Sequence, residues 1–200
     1  MTLEENRIQT KEIQDDDLLS FLNASYRDIE IVLVYTNSEQ TQSFSAGIVS
    51  EIFDNEVIIS HYLPNGKYDG YVVKQIVDIY KIETNSKYVK KIKILSEINN
   101  TKHDKLCRVK ENGFLTLLTY AYETKKVVTI ELIDSDNNDA VGFVEQINDK
   151  CCTISMLDDY GENDGVSIFN IDDISHLSCD GDDEFVLKQL NDTLYTNQSK

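Results

Sequence analysis

Apolar residues recur along this chain in two rhythms, one helical and one extended. Leu19, Leu22 and Tyr26 fall at helical spacing behind Asp15, Asp16 and Asp17, residues that favour a helix start. Leu115, Leu118 and Tyr122 repeat that stripe behind Asn112. Each stripe predicts a helix with one face on a core. Short β-rich runs follow each helix, at residues 29–36, 46–53 and 57–63, and again at 127–133, 141–147 and 151–157. The stretches Phe53-Asp54-Asn55-Glu56 and Asn148-Asp149-Lys150 between them carry hairpin chemistry. A fourth strand is expected after Gly70 and after Gly165. The runs Ile76-Val77-Asp78-Ile79 and Ile171-Asp172-Asp173-Ile174 then predict a single helical turn before a fifth strand. Tyr88, Val89, Ile92 and Leu95 predict a closing helix after Asn85-Ser86, as do Val186, Leu190 and Leu194 after Asp182.

The two halves are copies. Gly47, Gly66, Gly70 and Asp78 recur 95 residues later as Gly142, Gly161, Gly165 and Asp173. Ile52, Ile59, Ile79 and Leu95 fall on Ile147, Ile154, Ile174 and Leu190 at the same offset. A tandem duplication predicts two units of the same architecture. The expected division is 1–98 for the first unit, with a polar tail at 1–14, then a polar linker at 99–110 and a second unit at 111–200.

Composition narrows the function classes. A 40% hydrophobic and 28% charged chain is that of a globular protein, not a disordered one. The 36 acidic and 19 basic residues give a formal charge of -17. Both halves are acidic, so long-range repulsion disfavours a polyanionic partner such as RNA. Cys107, Cys151, Cys152 and Cys179 form no C-x-x-C pair, and three of them lie in the second half, so a disulfide framework is not expected. No segment reads as a signal peptide or a membrane span. The expectation is a reduced, cytoplasmic protein without a membrane partner.

Gly47 is followed seven residues later by Asp54, and Gly142 by Asp149. Gly70 with Ile76 and Ile79 is matched by Gly165 with Ile171 and Ile174. This spacing, with a preceding helix and five short strands, resembles the Sm-like (Lsm-type) small β-barrel, twice over. The resemblance implies a mainly β fold: two tandem five-stranded barrels, each with an N-terminal and a C-terminal helix. It also implies that strands four and five are edges that pair with neighbouring subunits. RNA-binding members of that family carry an Asn three residues after the motif Asp and an Arg before the strand-four Gly. Here Val57 and Cys152 take the first place, and Asp69 and Asp164 the second. The resemblance therefore implies the fold without the usual RNA pocket.

No catalytic motif stands out, and neither an enzyme nor a cofactor is expected. His61, His103 and His176 lie far apart in sequence, in different elements, and read as edge or surface residues. Asp134, Asp136, Asn138 and Glu145 approach the oxygen spacing of a calcium loop. Asp139 stands where that loop needs glycine, so a solvated hairpin loop is the expectation. Tyr68, Asp69 and Tyr71, with Tyr160 and Asp164 in the second unit, form the candidate contact patch. Lys87, Lys90 and Lys91 form a basic helix face suited to an acidic surface in the same or another chain. The leading expectation is a non-enzymatic module that binds another protein or itself through edge strands. The alternatives are an Sm-like protein that binds RNA on a non-standard face and a metal-dependent enzyme on the acidic loops.

Overall fold

A computed structural model describes residues 15–36, 44–103, 106–133 and 140–198. The first repeat runs α1 (Asp15–Asp28), β1 (Ile31–Thr36), β2 (Ser45–Ile52), β3 (Glu56–Tyr62), β4 (Tyr68–Gln75), β5 (Ile79–Glu83) and α2 (Lys87–Ile98). The second runs α3 (Gly113–Thr124), β6 (Val127–Leu132), β7 (Ala140–Ile147), β8 (Cys151–Leu157), β9 (Asn163–Asn170), β10 (Ile174–Cys179) and α4 (Asp182–Gln198). The expected single turns are present as 3-10 turns at Ile76–Asp78 and Ile171–Asp173.

The ten strands form one antiparallel sheet in the order β5-β1-β2-β3-β4-β10-β6-β7-β8-β9. Each repeat contributes a block of five with the same internal order. The mixed composition of strands and four helices follows the sequence pattern. Two closed barrels do not form among the described pairings, because the free edge of β4 is taken by β10 of the other repeat rather than by its own β5. The joining register is Val73 opposite Leu177, Val72 opposite Ser178 and Tyr71 opposite Cys179.

The backbone repeats as the sequence does. Gly66 and Gly161 have φ of 79° and 78°, and Gly70 and Gly165 have 71° and 98°. Asn85 and Asp180, at the corner before the closing helices, are left-handed at 56° and 63°.

Packing does not repeat. α1 covers one face of the first five strands through Leu22, Val32, Val49 and Ile59. α2 covers the opposite face through Val89 and Ile92, packed with Leu33 and Tyr62. The largest core joins the two repeats: Ile58, Tyr71 and Val73 of the first pack with Leu117, Leu118, Val128 and Leu177 of the second. α3 touches strands of both repeats, so most of its residues are buried. The segment expected as a polar linker joins this packing. Leu106 is 1% exposed within the same core. His103 sits between Tyr62 and Tyr68 and bonds the Ser60 hydroxyl.

Candidate interaction surfaces

The seam between β4 and β10 collects most of the polar chemistry. Asp69 enters β4 just before Gly70, at the start of the strand that meets the second repeat. One carboxylate oxygen is 2.9 Å from His61 Nδ1, and the other accepts the Asp182 N–H at 2.9 Å. That N–H belongs to the first turn of α4, where amides lack intrahelical partners and favour negative charge. Burial works to raise the Asp69 carboxyl, but the bonds from His61 and Asp182 outweigh it and hold it below the ordinary carboxylate value. Across the seam Glu184 accepts the Ser178 hydroxyl at 2.6 Å and the Thr129 hydroxyl at 2.7 Å.

A cleft of about 230 Å³ opens here, lined by His61, Asp69, His176, Ser178 and Glu184 among others. Burial, then the positive charge of Lys74 and then His61, push His176 down to about 3. Lys74 lies 3.5 Å from His176 Nδ1, and burial lowers its pKa as well. The expectation of scattered surface histidines is therefore corrected. His61 and His176 share one cleft, and His103 is packed among tyrosines. Chain separation hid this, because strand pairing brings residues from opposite halves together.

The candidate patch divides. Tyr71 is buried against Tyr68 and Tyr120, inside the core that joins the repeats. The Tyr68 hydroxyl is buried, which pushes its pKa far up. Asp69 is occupied at the seam. Tyr160 and Asp164, their second-repeat companions, are exposed. Lys87, Lys90 and Lys91 are all exposed on α2, and Lys91 lies over the Tyr88 ring. Asp134, Asp136 and Asn138 lie outside the described residues, and Glu145 is exposed on β7. Among the described residues no cluster of three His, Cys, Asp or Glu side chains could hold a metal ion. Cys152 is buried in the core, and burial raises its thiol to about 11, away from the reactive thiolate.

A second groove, about 460 Å³, lies between the β2–β3 turn and the two 3-10 turns, lined by Asp54, Glu56, Ile76, Val77, Phe114 and Asp172 among others. Glu56 accepts from the Asn112 side chain, at the start of α3, at 3.2 Å.

The two ends of the sheet are the fifth strand of the first repeat and the fourth strand of the second, the strand types expected as edges; which copy of each stays open was not legible in the sequence. β5 and β9 each pair on one side only among the described strands. β9 is exposed along most of its length, with Val166 at 57% and Ile168 at 70%. Their counterparts in β4, Tyr71 and Val73, are 1% and 0% exposed. The 95-residue offset held the signal, but burial at one copy and exposure at the other needs the strand order. None of the described helices is long and apolar enough to cross a membrane. No protein-family model, curated protein or solved structure matches this chain.

Proposed function

We propose that this protein is a non-enzymatic interaction module that associates through the two open edges of its sheet, and that its partner is a second copy of itself. One observation carries the reading: the β4–β10 seam is already a joint between the same two elements, repeated at the ends as β9 and β5. An exposed strand offers unpaired N–H and C=O groups, and proteins that avoid pairing blunt such edges with charge, proline or twist. From Gly165 to Asn170, β9 has no charged residue and no proline. It presents Val166 and Ile168 to solvent instead. Strand addition would satisfy the edge and cover those side chains.

The identical strand order within each five-strand block and the 3-10 turn before each last strand support two fused Sm-like units. RNA is the weaker partner on charge and on residue type. The position that carries a cation in RNA-binding Sm-like proteins is Asp69, and its carboxylate is committed to His61 and to α4.

Light scattering on the purified chain over a wide concentration range tests the reading. Mass that rises with concentration is the expected result. A strict monomer at the highest concentration refutes it.

A further inference from the structure

The groove beside the two 3-10 turns is acidic and apolar at once. Asp54, Glu56, Asp172, Ile76, Val77 and Phe114 are among its lining residues, and none of those residues is a lysine, arginine or histidine. We propose that this groove binds a basic, apolar peptide segment of another protein, its cationic side chains against Asp54, Glu56 and Asp172 and its apolar side chains against Ile76, Val77 and Phe114. No lining residue belongs to β5 or β9, so this contact is separate from association through the sheet edges.

The groove exists because the two repeats are joined. Val77 and Asp172, the middle residues of the two 3-10 turns, are copies of one position, and both line it. The first repeat adds Asp54 and Glu56 from the β2–β3 turn and the start of β3, and the second adds Phe114 from the first turn of α3. The second repeat has its own copy of that β-turn, with Asp149, Lys150 and Cys151 in place of Asp54, Asn55 and Glu56. There Asp149 is paired with Lys110 at 2.9 Å. Two carboxylates therefore stand at the copy that lines the groove, whereas the other copy has one, already paired.

The carboxylates of the groove lack a counter-charge. Asp54 and Asp172 are exposed and make no ion pair among the described residues. Glu56 is 8% exposed, and its oxygens accept from the Asn112 side chain at 3.2 Å and the Gly113 N–H at 3.5 Å, both long for a charged acceptor. Burial raises its pKa against the pull of the Gly113 N–H, and the Asp54 charge raises it further. A cation in the groove would favour the ionised carboxylate and supply the missing charge. The apolar part is equally open: Val77 is 81% exposed. Covering it contributes the non-directional part of the binding.

The class of ligand follows from how the charges are spread. Among the described residues no three His, Cys, Asp or Glu side chains converge to hold a metal ion, so these carboxylates do not serve one point charge. They suit cations spaced along a chain. A polyanion is repelled both by the groove and by the formal charge of -17, and the same field draws a cationic partner in. The volume of about 460 Å³ admits side chains of a short segment, and lies within the roughly 300–1,000 Å³ of ligand pockets.

Fluorescence anisotropy with a labelled nonapeptide tests this, the probe carrying a pair of arginines beside a leucine–valine pair in a glycine–serine background. Saturable binding to the full chain that weakens with salt is the expected result. Replacing the leucine–valine pair of the probe by serine should weaken binding about tenfold or more. Asp54→Asn and Asp172→Asn, both at exposed positions, should each weaken it about threefold or more. Val77→Ser should also cost about threefold, by lost apolar cover. Glu56→Gln should cost about tenfold or more, as a lost charged acceptor. Asp159→Asn removes an exposed charge outside the groove and should leave binding unchanged. No saturable binding, or equal losses in Asp159→Asn and Asp54→Asn, refutes the groove as a peptide site. Light scattering separates this contact from the sheet edges. Self-association that falls in Asp54→Asn or Asp172→Asn would make a second copy the occupant and overturn the peptide proposal. A monomeric wild type that still binds the probe refutes edge association and supports the groove.

Discussion

Replacing Gly70 and Gly165 separately by alanine separates the seam from the fold of either repeat. Both glycines have positive φ, 71° and 98°, so alanine carries backbone strain at each site, roughly 1–2 kcal/mol. At Gly165 that is the whole effect, because the added methyl meets little but the Met156 side chain. At Gly70 the methyl also lies 2.6 Å from the Asp180 carbonyl carbon and closer still to Cys179 and Gly181. These are backbone atoms of the β10–α4 corner and cannot swing aside as a side chain would. Overpacking of that kind adds about 1–3 kcal/mol. Gly70→Ala should therefore destabilise the monomer by about 2–5 kcal/mol and Gly165→Ala by about 1–2 kcal/mol. Urea unfolding at dilution low enough to exclude association measures both. Equal losses, or a greater loss at Gly165, would show that β10 does not close against Gly70. Near the association concentration, Gly165→Ala should also weaken self-association, since its methyl then meets the incoming chain.

Two further outcomes follow from burial at the seam and beneath it. His176 is neutral in the fold, with its pKa held at about 3 by burial, Lys74 and His61, whereas the unfolded chain protonates it near 6.5. Its folded pKa is the lower one, so stability falls as pH drops below about 6.5, by about 2 kcal/mol at pH 5. His176→Gln should remove that share of the loss measured by urea unfolding at pH 7 and pH 5, with His61, Lys74, Asp69 and Glu131 unchanged. An identical pH dependence in the variant would place His176 in contact with water. Leu106→Ala should cost about 2–5 kcal/mol in the same assay, as a cavity in the core shared by both repeats. A loss under about 0.5 kcal/mol would return the segment to the status of a loose tether.

Much of the architecture was legible in the residue pattern. Element type follows from local periodicity and turn chemistry, so the ten strands, four helices and two single turns fall close to their expected places. Gly66, Gly70 and their copies announced positive φ because few other residues tolerate it. The candidate site was less legible. Tyr68, Asp69 and Tyr71 are adjacent in sequence, yet Tyr71 faces the core, Asp69 bonds His61 and α4, and Tyr68 lies between. His61 and His176 are 115 positions apart and share one cleft.

By itself the sequence determined two copies of one unit, because periodicity, glycine placement and turn residues act over a few neighbours and are the same in both. Only the tertiary structure decided what the copies do to one another. Backbone groups of β4 pair with β10 across a separation no local rule spans, and that choice opens the sheet, buries Tyr71 and Val73, and fills the place beside Gly70. The counterparts of Tyr71 and Val73 on β9, Val166 and Ile168, have β8 on one side and no second strand among the described residues on the other. Identical local chemistry thus becomes core at one position and exposed edge at the other, because burial depends on what lies across the gap.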